Sequence, residues 1–368
     1  MKTTLLFLSV FLSANLFGQN VYIPDPYFKA YLVTNSDINT NGDSEIQVSE
    51  AIAFDGTMEC DNQNISDLTG IEAFTALIGL DVSDNLLSSL DLSQNTDLLA
   101  VYCNDNFLLS LDISQNTDLE ELECAYNSLT SLDVSQNTAL IYLACKNNLL
   151  TTLDVSQNIV LQDLDVHDNL LTSIDVSQNT SLYTLDCSDN QLSSLDVSQN
   201  FNLQELVCNE NFLTNLNLYG AIDLYDLDCH SNLLTSLDIS QNPELFDLHC
   251  SSNQLTCLNL ANSNTFELMF GLICGNNPSL SCIEVSDAAL ATEYANEVSS
   301  LGPQMYFSED CNYAENCFDS TVGINELSTS KNLIQVLDLM GRETSFKPNT
   351  PLIYVYDDGS IEKVFTIE

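Results

Sequence analysis

The sequence predicts a β-rich solenoid with little helix, capped by a small helical segment at its N-terminal end and by a second cap at its C-terminal end. A small β-sandwich-like tail domain follows. Three observations carry this expectation. A unit of about 21 residues repeats without gaps, as in LLAVYCNDNFLLSLDISQNTD, LEELECAYNSLTSLDVSQNTA and LIYLACKNNLLTTLDVSQNIV. Its apolar positions alternate with polar ones as strands require. The cations nearly avoid the repeats: only Lys146 falls inside them, while Lys331, Arg342, Lys347 and Lys363 all lie in the last segment. A unit this short cannot bury its own leucines, so each copy must stack on its neighbours and the core becomes a column.

Residues 1–18 carry Lys2, then the apolar run LLFLSVFL, then smaller residues ending near Gly18, which is the build of a secretory signal peptide. The run is too short for a membrane span, and no later stretch approaches the roughly 20 apolar residues that one needs. Residues 19–55 read as the N-terminal cap, with short amphipathic helices at Tyr27–Val33 and Val48–Phe54 around a polar loop.

Aligned on its apolar positions, the unit is LxxLxCxxNxLxxLDVSQNxx. In the first half Leu122 and Cys124 should point inward and Glu121, Glu123 and Ala125 outward, because successive strand residues take opposite faces. The turn asparagine recurs at Asn85, Asn106, Asn127, Asn148 and onward to Asn253, and is expected to form a ladder of amides bonding the neighbouring backbone. In the second half Leu132 and Val134 point inward and Asp133 outward, so the back of each coil should be extended. These residues resemble the leucine-rich repeat family, in its short bacterial subclass with a nested ten- or eleven-residue half. The resemblance covers residues 56–285 and implies about eleven coils.

Cysteines sort by this alignment. Cys103, Cys124, Cys145, Cys187, Cys208, Cys229 and Cys250 share one inward slot, filled by Val82 and Val166 in two other coils, with Cys60 and Cys274 fitting it in the end repeats. Interchange with valine marks them as core residues rather than a disulfide framework. Cys257, Cys282, Cys311 and Cys317 fall off the ladder and are candidates for two bridges, with three connectivities open. Cys257 and Cys282 hold matching positions in adjacent coils.

The loop in the N-terminal cap resembles an EF-hand or dockerin-type calcium loop. In that register Asn39, Asn41, Asp43 and Glu45 take the first, third, fifth and seventh places, Gln47 the ninth and Glu50 the twelfth. Two departures weaken it: asparagine stands first and Ser44, not glycine, stands sixth. A second register from Asp37 keeps Gly42 sixth but places Val48 twelfth. A weak calcium site and a metal-free cap both stay open, and no cofactor is required.

Residues 286–318 form the second cap, with a helix expected around Ala288 to Ser299. Residues 319–368 are β-rich, with Asp358 and Gly359 placed to turn a hairpin. This segment resembles the C-terminal sorting domain of the type IX secretion system, in the IQVLDLMGRE core at Ile334 to Glu343, in Pro351 to Tyr356 and in Lys363 to Glu368. The resemblance implies recognition by that export machinery, followed by release or attachment at the outer surface of a Gram-negative bacterium.

With 53 acidic against 7 basic residues and a formal net charge of −46, the chain repels nucleic acid. It carries three histidines and no GxSxG, HExxH or phosphate-cradling glycine loop, so catalysis is not expected. The outward face of the first-half strands instead carries the candidates for binding: Tyr102, Glu121, Glu123, Tyr126 and Tyr142, and further along Asp226, Asp228, His230, Asp247 and His249. The function expected is recognition of an extracellular protein or glycan through this acidic, concave face. The alternatives are a metal-dependent hydrolase using the Asp226 to His249 patch, and a structural surface or matrix component without a specific ligand. A separate file of aspartates, Asp91, Asp112, Asp133, Asp154, Asp175, Asp196 and Asp238, would repel by roughly 0.8 kcal/mol per pair at about 5 Å in water. It asks for relief by cations or by hydrogen bonds from neighbouring Ser and Asn.

Overall fold

The computed structural model describes residues 18–261, 271–295, 306–308, 333–337, 352–356 and 361–364. Apart from Gly18 the predicted export segment lies outside them, as do Cys311 and Cys317. The chain divides into two compact units, residues 1–313 and 314–368.

In the first unit, helix α1 (Pro26–Thr34) starts on Asp25, whose Oδ1 accepts the Tyr27 and Phe28 N–H groups. Its Oδ2 accepts the N–H and hydroxyl of Ser66, which ties the cap to the first coil. Helix α2 (Val48–Ala53) follows the loop, with a capping box between Gln47 and Glu50.

The solenoid is built from three-residue strands that stack in parallel, because each coil advances one strand spacing and returns the same residue to the same face. Eleven strands form one sheet: β1 (Thr57–Glu59), β2 (Gly79–Asp81), β3 (Ala100–Tyr102), β4 (Glu121–Glu123), β5 (Tyr142–Ala144), β6 (Asp163–Asp165), β7 (Thr184–Asp186), β9 (Glu205–Val207), β11 (Asp226–Asp228), β13 (Asp247–His249) and β15 (Leu272–Ile273). On the opposite side, among the described residues, the coils form extended strands from Ser194 onward, with an isolated bridge between Asp91 and Asp112 before them. They pair there as β8 (Ser194–Asp196) with β10 (Asn215–Asn217), and as β12 (Ser236–Asp238), β14 (Cys257–Leu260), β16 (Cys282–Val285) and β17 (Tyr306–Ser308). Helix α3 (Ala288–Ala295) follows β16.

The column between the two sides is leucine, valine and cysteine. The middle residue of each sheet strand, such as Leu122, Leu143 and Leu164, is buried, and each such side chain contributes on the order of 1.5–3 kcal/mol. The nine ladder cysteines are free and buried, and burial pushes the Cys103 and Cys145 thiols up to about 12. Cys257 and Cys282 are disulfide-bonded. One inward-outward assignment is corrected: Ala125 is buried, because it has no reach beyond the backbone and its N–H is covered by Asn104 Oδ1 at 2.8 Å.

Each coil turns through one left-handed residue just before the ladder asparagine. The positions are Asp84, Asp105, Tyr126, Asn147, Asp168, Asp189, Glu210, Ser231 and Ser252, with φ between 50° and 56°. The asparagine holds this turn. Asn148 Nδ2 donates to the carbonyls of Cys124, Cys145 and Lys146, and its Oδ1 accepts the Leu129 N–H at 2.9 Å. A second asparagine ladder, not anticipated, runs up the other side: Asn95, Asn116, Asn137, Asn158, Asn179 and Asn200 are fully buried. Each donates to two carbonyls of the preceding coil, as Asn137 does to Ile113 and Asn116.

Among its described residues the second unit has three strands, β18 (Leu333–Leu337), β19 (Leu352–Tyr356) and β20 (Ile361–Val364), paired antiparallel in chain order. Asp358 and Gly359, the expected turn between β19 and β20, lie outside the described residues.

Candidate binding face

Because the middle residue of each sheet strand is committed to the column, its two neighbours project from the sheet in two rows. Parallel register aligns them coil by coil: Glu121 stands beside Tyr142, Glu123 beside Ala144, Asp226 beside Asp247 and Asp228 beside His249. These rows vary from coil to coil, whereas the opposite side repeats Leu-Asp-Val-Ser-Gln-Asn almost unchanged.

Over β3 to β5 the rows bring Tyr102, Glu121, Glu123 and Tyr142 together. The Tyr102 hydroxyl donates to Glu121. That bond, reinforced by burial and by the charges of Glu121 and Glu123, holds the phenol protonated well beyond its ordinary range. Burial first, and then Glu123 and Asp165, raise Tyr142. Glu123 Oε2 accepts Asn104 Nδ2 at 2.7 Å. Tyr126 is placed elsewhere: the strand ends at Glu123, and Tyr126 occupies the left-handed turn, exposed at the rim of the sheet.

Of the five residues expected near the C-terminal end, three converge. One ligand-capable atom from each of Asp228, His230 and His249 lies within 4.8 Å of the others. The two imidazoles stack with centroids 4.2 Å apart and 14° between planes. Asp226 and Asp247 pair in the other row, where burial and then the charges of Asp247, Glu205 and Asp228 raise the Asp226 carboxyl. A second group, Asp165, His167 and Asp186, escapes the sequence reading. Its only linear signal is that DVH at Asp165 to His167 repeats the spacing of DCH at Asp228 to His230. Lys146 Nζ lies 3.0 Å from Asp165 Oδ2, and hydrogen bonding to Asp165 raises the lysine.

Two apolar features were also missed. Tyr225 and Phe246 stack at the entry edge of the sheet, with centroids 5.4 Å apart. At the exit edge the residue after each ladder asparagine is often an exposed hydrophobe, as at Leu86, Phe107, Leu149, Leu170, Phe212 and Leu233.

The aspartate file on the opposite side finds its relief locally. Each Oδ1 accepts the N–H of the serine two residues on, at 2.9 Å for Asp133 and 3.0 Å for Asp112. These serine bonds lower the Asp91, Asp112, Asp133, Asp154 and Asp175 carboxyls below their ordinary range.

In the N-terminal loop the oxygens expected to face calcium are engaged with protein donors. Glu50 Oε1 accepts from Thr40 N, Thr40 Oγ1 and Asn41 N, and Oε2 from Gln47 N. Burial alone would raise Glu50; these bonds outweigh it and lower the carboxyl. Glu45 pairs with Lys29 at 2.7 Å, Asp43 Oδ1 accepts the Glu45 N–H, and Asn41 Oδ1 accepts the Asp43 N–H. Asn39 Oδ1 accepts the N–H of Gly42, which carries the left-handed φ of 72°. That glycine is sixth in the register starting at Asp37.

A stacked parallel solenoid with a cysteine slot and asparagine ladders defines the class. The chain belongs to the bacterial leucine-rich repeat proteins. Among solved structures it is similar to the functional domain of InlJ from Listeria monocytogenes, described as including a cysteine ladder. The identity is 35% and the TM-score 0.62, over 73% of this chain and 67% of that one. An internalin, InlF, from the same species shares the fold at 17% identity and TM-score 0.57, over 78% of this chain and 91% of that one. Comparisons with protein-family models and with curated proteins each found no match. Among the described residues no helix is long and apolar enough to cross a membrane.

Proposed function

We propose that this is an exported, non-catalytic recognition protein that binds an extracellular protein or glycan, or mediates adhesion, through the outward face of its eleven-stranded sheet. The observation that carries the reading is where the variation falls. Along one chain, the buried slots and the opposite side repeat nearly unchanged, while the two outward rows of the sheet alternate among Glu, Tyr, Asp, Thr, Val and His. A scaffold that fixes everything except one face presents that face to a partner. Half-buried tyrosines beside carboxylates, Tyr102 and Tyr142, offer stacking surfaces and acceptors of the kind that hold sugars and polar protein surfaces. The strong negative charge favours partners with a basic or neutral surface.

Residues 1–18 would direct export, and residues 319–368 would serve the type IX machinery and place the product outside a Gram-negative cell, released or surface-attached. The N-terminal loop would bind calcium weakly at most, because its carboxylates already have partners. Binding of the purified chain to glycan and protein arrays, with and without a chelator, tests the reading. Reproducible capture of a defined ligand class supports it; silence under every condition counts against it.

A further inference from the structure

We propose that Asp228, His230 and His249 form a site for a zinc-class divalent cation on the sheet face, with an open coordination position toward solvent. This stands independently of the recognition reading. Two of the three histidines of the chain meet here, in adjacent coils, around one carboxylate. His230 Nδ1 lies 2.6 Å from Asp228 Oδ1, and His249 Nδ1 lies 3.4 Å from Asp228 Oδ2. Ligands at about 2.0–2.1 Å from a tetrahedral zinc are separated by about 3.3–3.4 Å, so the second pair already has the required edge. The first pair is joined through a proton, and a cation that displaces it widens the pair toward the same edge.

The outer nitrogens differ in their surroundings. His249 Nε2 lies at hydrogen-bond distance, 2.7 Å, from Ser251 Oγ, whereas His230 Nε2 lies 4.0 Å from Glu210 Oε1, beyond a direct hydrogen bond. With its ring proton on Nε2 directed to Ser251, neutral His249 presents its Nδ1 lone pair to the site, the outer-shell arrangement that orients metal-bound histidines. Each lone pair lies in its ring plane and the two rings stack at 14°, so one imidazole turns out of the stack when both ligate the same cation. Two imidazoles and one carboxylate select zinc and its first-row neighbours over calcium or magnesium, which take oxygen ligands. The Asp165, His167 and Asp186 group differs because Lys146 already supplies its cation.

The test uses the full chain and Co2+ as a spectroscopic probe, in excess Ca2+ to occupy diffuse acidic sites, with Zn2+ competition read by calorimetry. A visible band of tetrahedral or five-coordinate Co2+, displaced by one tight Zn2+ equivalent, is expected. His230→Asn and His249→Asn should each weaken Zn2+ at least tenfold, and Ser251→Ala about tenfold. His167→Asn should leave binding unchanged. All four side chains project from the column, and unchanged circular dichroism confirms the fold of each variant. No Co2+ band in the wild-type chain overturns the proposal. So does binding that survives His230→Asn/His249→Asn, or that disappears with His167→Asn.

Discussion

Replacing Asn148 by alanine should destabilise the solenoid far more than the same change at Asn137, although both amides are buried and each belongs to a ladder. Asn148 both donates and accepts. Removing it orphans the buried Leu129 N–H, whose acceptor is Asn148 Oδ1, and deletes donors to Cys124, Cys145 and Lys146. Those carbonyls keep other donors, since Asn169 also donates to Cys145 and Asn127 to Cys124. A stripped buried N–H costs about 1–3 kcal/mol and each lost bond about 1 kcal/mol or less, for a total of about 3–4 kcal/mol. Asn137 donates to Ile113 and Asn116, but its Oδ1 accepts no hydrogen bond from the described residues. Alanine there removes an unsatisfied atom along with two bonds, so the loss should be about 1 kcal/mol. Urea denaturation of both variants, followed by circular dichroism, measures the difference. Equal losses, or a larger loss at Asn137, would refute the reasoning.

Four further outcomes follow from the same structure. Tyr126→Asn should raise stability by up to about 1 kcal/mol in thermal melts, because asparagine accepts the left-handed turn at φ 52° with less strain than tyrosine. Cys145→Val should cost less than about 1.5 kcal/mol, since valine fills the same slot at Val82 and Val166. The nine ladder thiols should react with a thiol reagent only on denaturation, being buried and, at Cys103 and Cys145, pushed up to about 12. Asp25 is held below its ordinary 3.8 by hydrogen bonds from Ser66, Phe28 and Tyr27 that outweigh burial. A depressed carboxyl stabilises the fold above its unfolded pKa and ceases to do so as pH falls through its folded value. The stability gap between wild type and Asp25→Asn should therefore be full at pH 6 and narrow below about pH 4; a gap that widens in acid contradicts the assignment.

The repeat made much of the fold legible. The inward slot shared by Cys124 and Val166 identified the column, and the recurring Asn127 identified the first ladder. What escaped depends on neighbours in space. Asn137 reads as a polar loop residue in SQN, and its complete burial appears only when the preceding coil supplies carbonyls. Asp186 joins Asp165 and His167 only across a coil. Tyr126 was expected on the outward face with Tyr102 and Tyr142, but the strand ends at Glu123 and Tyr126 occupies the left-handed turn beyond it. In the binding face, pairs aligned by register, such as Asp228 with His249, were legible because the coil length is constant. The stacking of Tyr225 on Phe246 was not, because those positions lie just before the strands.

The central claim, that the variable rows of the sheet are the recognition surface, is tested most directly by comparing two triple variants on a ligand found by array. Tyr102→Ala/Glu123→Gln/Tyr142→Ala alters the sheet face, and Asp112→Asn/Asp133→Asn/Asp154→Asn alters the opposite side while keeping an acceptor for each serine. The account predicts that the first variant loses binding at least tenfold while the second retains it. Equal retention by both, or loss confined to the second, would contradict it.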